Sequence, residues 1–224
     1  MLIIAIDTSS RKGSIALCRG DGGSFEVLQL TPLAGGTYSA RLMPTISSLL
    51  EQNRFDRSAL NGFVTVSGPG SFTGLRVGLA TVKGLCEILR KPLATVSMLE
   101  ALAVTYGLAG ETVLAVLDAG RGEVYAGEYQ VGSSNASMIR EYITKLADFT
   151  PVGISGRLLT PDSPVFGVLR PAHAGIELVD PVQADGIGRI GIRKLMAGEV
   201  ADPARVDVNY IRRSDAEIFS VPGP

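Results

Sequence analysis

The sequence predicts an α/β protein built from two similar halves. Three observations lead there. The first hundred residues read strand-strand-strand-helix-strand-helix-strand-helix from their apolar periodicity. The segment LIIAIDTSSRKGSIALC (Leu2–Cys18) is echoed by VLAVLDAGRGEVYAGEY (Val113–Tyr129). Each is an apolar strand ending in Asp, a turn with Gly and Arg, and a second strand, which is what a duplicated fold produces. Between them, VTVSGPGSFTGLRVGLATVKGLCEIL (Val64–Leu89) joins a buried strand to a long helix through Gly68-Pro69-Gly70.

Taken in order, Leu2–Ile6 is a buried strand ending at Asp7-Thr8-Ser9-Ser10. Ser14–Cys18 is a second strand, Asp21-Gly22-Gly23 a hairpin turn, and Phe25–Leu30 an alternating third strand. Gly35-Gly36 breaks the chain. Leu42, Met43, Ile46, Leu49 and Leu50 then give Tyr38–Gln52 helical spacing, with Pro44 in the first turns or at a kink. Strand Phe63–Val66, the glycine turn and helix Phe72–Leu89 follow, and Lys91-Pro92 stops that helix. Leu93–Val96 is a strand, and Ser97 caps helix Met98–Tyr106. The pattern restarts with strand Thr112–Leu117, the turn Gly120-Arg121-Gly122, and strand Glu123–Gln130. Past the loop Gly132-Ser133-Ser134 the signals weaken. They give a short helix within Ile139–Phe149, strands at Val152–Ile154 and Val165–Leu169, and a helix from Asp185 to Met196 ended by Gly198. The expected division is 1–108 and 109–224.

Composition narrows function. Of 224 residues, 46% are hydrophobic and 19% charged, enough for a substantial core. A net charge of −1 argues against autonomous nucleic-acid binding. A local basic strip at Arg205, Arg212 and Arg213 remains open. No apolar run spans a bilayer, and MLIIAID has no basic n-region, so a cytoplasmic location is expected. Cys18 and Cys86 read as buried free thiols. His173 is the sole histidine. It cannot build a usual zinc site with two scattered cysteines, and no G-x-S-x-G elbow accompanies it, which disfavours a peptidase.

Three glycines inside one helix, Gly74, Gly78 and Gly84, each cost roughly 1 kcal/mol relative to Ala and so imply a close backbone approach on that side. The glycine turn lacks the Gly-Lys-Ser/Thr of a P-loop and the spacing of a GxGxxG fingerprint. A tight turn is therefore preferred over a phosphate cradle. Helix Phe72–Leu89 carries Leu75, Val77, Leu79, Val82, Leu85, Ile88 and Leu89, more than one stripe, which favours an extra buried face against a partner.

Asp7-Thr8-Ser9, the run Gly68–Gly78 (GPGSFTGLRVG), Asp118–Tyr125 and Asn209-Tyr210-Ile211-Arg212-Arg213 together resemble the TsaB (YeaZ) family. The resemblance covers nearly the whole chain, least so from about Gly132 to Asp185. It implies the actin/Hsp70-like (ASKHA) fold of two ribonuclease-H-like lobes. It also implies a role in making threonylcarbamoyladenosine beside the anticodon of tRNAs reading A-starting codons. There TsaB is the non-catalytic partner of the transferase TsaD, with TsaE joining them. No cofactor is then required, and a homodimer is an alternative pairing. The His-x-x-x-His metal pair of TsaD is missing here, where the helix reads Tyr38-Ser39-Ala40-Arg41-Leu42-Met43-Pro44. Tyr38 stands where many members have His, Gly120 where Arg is usual, and Val208 where Pro is frequent.

Family pairing through two side-by-side helices would use Arg41, Leu42, Thr45, Ile46, Leu49, Leu75, Arg76, Leu79, Val82 and Lys83. Replacing Leu75 or Leu79 with Asp is then expected to abolish association and leave the monomer folded. The rival reading is an ASKHA phosphotransferase or ATPase, which would bind Mg-nucleotide tightly using Asp7 and the glycine turn. The candidate nucleotide or phosphate residues are Asp7, Thr8, Ser9, Gly68, Gly70 and Asp118, where weak nucleotide binding is the alternative to none. For Asp7 and Asp118 the favoured role is structural, holding backbone N–H groups of their own turns. The tail with Arg212, Arg213, Asp215 and Glu217 reads as a solvated face, with a docking segment as the sharper alternative.

Overall fold

Strand β1 (Leu2–Asp7) is buried along its whole length, as a strand paired on both sides and covered on both faces must be. The structure is a computed structural model and describes residues 1–21, 23–150, 156–209 and 211. β1 pairs antiparallel with β2 (Lys12–Gly20), which pairs antiparallel with β3 (Phe25–Ala34). On its other side β1 runs parallel to β4 (Gly62–Gly68), and β4 to β5 (Leu93–Ser97). The first sheet is thus ordered β3-β2-β1-β4-β5. β3 is longer than its alternation suggested and carries Pro32, tolerated because the strand is an edge. Helices α1 (Tyr38–Gln52) and α2 (Phe72–Leu89) pack on each other, and α3 (Met98–Tyr106) starts directly after Ser97. Pro44 lies in the second turn of α1.

The second sheet repeats the plan. β6 (Thr112–Gly120) pairs antiparallel with β7 (Glu123–Val131), and β7 with β8 (Ala136–Lys145). β6 runs parallel to β9 (Arg157–Thr160), and β9 to β10 (Ile176–Leu178). The order β10-β9-β6-β7-β8 is the first sheet's order read backwards. The echo between Leu2–Cys18 and Val113–Tyr129 therefore marks the two equivalent hairpins.

Three expectations for the second half need correction. Ile139–Phe149 is not a helix: most of it belongs to β8, followed by a 3-10 turn at Leu146–Asp148. Val165–Leu169 is not a strand but lies in α4 (Ser163–Leu169), where Pro164 occupies the first turn, the one helical place that needs no N–H. The final helix, α5, runs Ala184–Met196 with Gln183 rather than Asp185 at its N-cap. Ser14 of β2 supplies the missing acceptor, taking the Ala184 N–H at 2.9 Å. Strands β9 and β10 had no sequence signal. Val152–Ile154 and Gly22 lie outside the described residues.

α5 packs on β1, β2, β4 and β5, so the boundary at 108 separates the strands but not the helices. The main core cluster includes Val113, Tyr125, Tyr129 and Leu159 with the residues of the first sheet. A smaller cluster, with Leu114, Val116, Val124, Phe149 and Leu158, sits under α4.

Candidate functional site

The two strand-ending aspartates are held alike. The Asp7 Oδ1 accepts the Ser9 N–H at 2.8 Å, and the Asp118 Oδ1 accepts the Gly120 N–H at 2.8 Å. Each closes an i to i+2 turn of the Asx type. Asp7 also takes the Ser9 hydroxyl at 2.6 Å. They differ in surroundings. Asp7, Thr8 and Ser9 are buried, and burial raises the Asp7 carboxyl above its usual range although the Ser9 hydrogen bonds oppose this. Asp118 is exposed and its N–H donates to Asp162 Oδ2 at 2.7 Å. Desolvation, with Asp118 close by, raises the Asp162 carboxyl.

What buries Asp7's turn is the glycine turn and α2. The Ser71 N–H donates to Ser9 O at 2.6 Å, and the Ser71 hydroxyl caps α2 by accepting the Gly74 N–H at 3.3 Å. A side chain at Gly70 would collide with Ser9, and at Gly74 or Gly78 with Thr8. Gly68, at φ +132°, takes a conformation that favours glycine, and Asn209 O would lie 2.8 Å from any Cβ there. The Asn209 N–H in turn donates to Ser67 O at 2.8 Å. The chain's own residues therefore occupy the space in front of these donors. Of the six residues assigned to phosphate, five (Asp7, Thr8, Ser9, Gly68, Gly70) meet in this packed turn and Asp118 stands in the other sheet. Tyr38 belongs to the same packing, since its hydroxyl donates to Ser10 O and leaves no room for a side chain at Gly13.

The partner-binding set divides. Leu42, Ile46 and Leu49 of α1 and Leu75 (2% exposed), Leu79 (4%) and Val82 of α2 point into the chain's own core. They are corrected from docking residues to core residues, and with them the expectation that Leu75→Asp or Leu79→Asp leaves a folded monomer. Lys83 is not on a rim either: its ammonium donates to Val206 O at 3.0 Å and ties down the segment after α5. Arg41 and Arg76 are exposed and Thr45 is half-buried.

The outward face of α2 is made by residues of which the expected partner set holds only Arg76, although Ile88 belongs to the second apolar stripe and Gly84 to the close-approach glycines. Phe72, Arg76, Ala80, Gly84 and Ile88 form one ridge at every fourth position, the kind that packs into a groove of another helix. Ile88 is 79% exposed, Phe72 42%, and Met43 of α1 47%. The Arg76 guanidinium lies over the Phe72 ring at 3.8 Å. An added Cβ at Gly84 meets nothing within 4 Å, so nothing among the described residues requires that glycine. The i, i+4 spacing was the available signal, hidden by the stronger inward stripe.

A family profile described as "TsaD: tRNA N6-adenosine threonylcarbamoyltransferase" matches residues 32–166, more than half of the chain. The tRNA threonylcarbamoyladenosine biosynthesis protein TsaB of Bacillus subtilis is 38% identical over 58% of this chain and 56% of its own length. The solved YeaZ of Pseudomonas aeruginosa superposes with a TM-score of 0.73 at 23% identity, covering 91% of this chain and 96% of that one. The chain belongs to the TsaB (YeaZ) family. It spans about half the length of the curated TsaB relative it matches. Component A of (R)-2-hydroxyglutaryl-CoA dehydratase from Acidaminococcus fermentans shares the architecture at a TM-score of 0.54 and 12% identity, covering 88% of this chain and 99% of that one. The fold is the two-lobed ASKHA type. In the family motif Asn209-Tyr210-Ile211-Arg212-Arg213, the structure describes Asn209 and Ile211. Tyr210, Arg212 and Arg213, and Asp215 and Glu217 beyond them, lie outside the described residues. Arg205 is paired with Asp202 at 3.5 Å. Among the described residues no helix is long and apolar enough to cross a membrane, and no three His, Cys, Asp or Glu side chains cluster as metal ligands.

Proposed function

We infer that this chain is an accessory subunit that binds a TsaD-type transferase and promotes formation of threonylcarbamoyladenosine in tRNAs reading A-starting codons. The observation that carries the reading is the ridge Phe72-Arg76-Ala80-Gly84-Ile88, an outward helix face with a glycine that no described residue crowds. α2 lies beside α1, so the pair offers half of a four-helix bundle to a matching pair. The partner is TsaD in the active complex, joined by TsaE, and a second copy of the chain when TsaD is absent. The tRNA is the substrate of the assembly, which works in the cytoplasm. The chain supplies no catalytic group and needs no cofactor. It acts by linkage, favouring TsaD's active conformation in proportion to its differential affinity for it.

The rival, an ASKHA phosphotransferase, would need Asp7 and the glycine turn to face a Mg-nucleotide. Asp7 is instead committed to Ser9, and the turn's Ser71 N–H to Ser9 O. Reconstitution tests the proposal. TsaD, TsaE and tRNA are assayed for modification with the wild-type chain, without it, and with Phe72→Asp/Ile88→Asp. Modification should require the chain and fall to the no-chain level with the double variant, whose melting temperature should match wild type. Full activity without the chain, or with the double variant, refutes the reading.

A further inference from the structure

A second part of the molecule, away from α2, has a cavity whose reading is independent of the partner-binding one. A cavity of about 460 Å³ lies between α5, the C-terminal end of α3 and the β7–β8 turn, a volume in the range of small-molecule sites. None of Asp7, Gly68, Gly70 and Asp118 lines it. Its polar lining is rich in donors. Arg189 and Arg193 stand one helical turn apart on α5 and so share a face. Arg189 makes no hydrogen bond or ion pair among the described residues and lies over the Phe25 ring at 4.5 Å. Arg193 gives one N–H to Ser134 O at 2.6 Å, which fixes its guanidinium against the β7–β8 turn and leaves its other N–H groups unused. The Thr105 and Ser133 side chains also line the cavity, with no hydrogen bond among the described residues.

Two guanidinium groups without a carboxylate partner, facing hydroxyl donors, match the oxygens of a phosphate, which guanidinium binds through two parallel N–H bonds. The lining includes one carboxylate, Asp185, one turn before Arg189, an acceptor placed for a hydroxyl or amino group. The Phe25, Val104, Leu108 and Val131 side chains supply an apolar wall. We propose that this cavity binds a nucleoside phosphate, with Arg189 and Arg193 on the phosphate and Asp185 on the nucleoside. The source is a free nucleotide or a nucleotide of an RNA strand. A neighbouring cavity of about 520 Å³ shares Ser134, Ile190 and Arg193, but it is lined by Glu100, Glu141 and Glu199, and Lys194 there is paired with Glu100 at 2.7 Å, so the phosphate is held on the Arg189 side.

The test uses the full chain in buffer containing EDTA, because a guanidinium site needs no Mg²⁺. Titration calorimetry with ADP and with inorganic phosphate is run beside anisotropy of a short labelled oligoribonucleotide. Saturable binding weakened roughly tenfold or more by Arg189→Ala/Arg193→Ala, with unchanged melting temperature, is expected. ADP binding identifies the free nucleotide as the source, and oligoribonucleotide binding alone identifies the RNA strand. In the wild-type chain, ligand-induced amide shifts should fall on Thr105, Gly132–Ser134 and α5, a readout that survives even if the double variant does not fold. No binding of either nucleotide probe, undiminished binding by the double variant, or shifts confined to Asp7–Ser10 and Gly68–Gly74 overturns the proposal.

Discussion

Gly84→Ala should act with opposite signs on the isolated chain and on its complex with TsaD. In the isolated chain the new methyl meets no atom of the described residues within 4 Å outside its own helix backbone, and the residue is in the interior of α2. Replacing a partly exposed interior glycine by alanine then adds up to about 1 kcal/mol of stability. For a chain of this size that is roughly 2–4 °C in melting temperature. In the complex the same methyl sits on the ridge between Ala80 and Ile88, where a partner helix would approach to about 8–10 Å between axes. Overpacking such a contact costs about 1–3 kcal/mol, or roughly five- to a hundredfold in Kd. Gly78→Ala is the internal contrast, because its methyl collides with Thr8 and must destabilise the chain by itself. Differential scanning calorimetry gives the first effect and titration calorimetry with TsaD the second. A lower melting temperature for Gly84→Ala would show that the glycine is needed inside the chain. Unchanged affinity for TsaD would show that no helix packs on that ridge.

Three further outcomes follow from burial. Leu79→Ala should cost about 2–5 kcal/mol in urea unfolding, the penalty of a core cavity, whereas a surface leucine would cost almost nothing. Asp7 binds its proton more tightly in the folded chain than its ordinary value near 3.8. The stability carried by the protonated carboxyl is thus complete below about pH 4 and lost as pH rises through the folded-state pKa. Asp7→Asn keeps an acceptor for Ser9 without a charge, so it should remove that pH dependence and be at least as stable as wild type at pH 7. Asp7→Ala orphans the Ser9 N–H and should cost about 1–3 kcal/mol. Denaturant unfolding as a function of pH checks both. Burial pushes the Cys18 and Cys86 thiols up to about 12, so a thiol reagent at pH 8 should label them only at the rate of unfolding. Fast labelling of the folded chain would contradict the packing.

The first half of the fold was legible because its elements have distinct periods and strong punctuation, with Gly68-Pro69-Gly70 and Lys91-Pro92 bracketing α2. The second half misled where the periods coincide. Ile139, Ile143, Leu146 and Phe149 fall at i, i+4, i+7 and i+10, which is helical spacing, yet pairing with β7 makes most of the segment a strand. Five residues, Val165–Leu169, cannot distinguish a short strand from a short helix without Pro164 as a guide. The aspartate turns were read correctly in kind, since an Asx turn is local chemistry. Which of the two is buried is not local: it depends on α2 closing over Asp7 from sixty residues away. The partner-facing set went astray for a related reason. An apolar stripe on a helix says that something covers it, and for Leu75, Leu79 and Val82 that cover is the chain's own sheet.

The glycines of α2 separate the two demands placed on that helix. Gly74 and Gly78 face inward, where the turn after β1 leaves no space for a methyl, and they fix the helix against the very strand end at which an ASKHA enzyme would hold a phosphate. That approach holds Asp7 against Ser9. Gly84 faces outward and satisfies no requirement of the described residues. A single helix thus carries inward glycines that close the turn after β1 and an outward one that no described residue covers. The two demands fall on opposite faces of one backbone. If that separation holds, Gly78→Ala should impair folding before it impairs association, and Gly84→Ala should impair association without impairing folding. A variant in which both properties moved together would show that the faces are coupled.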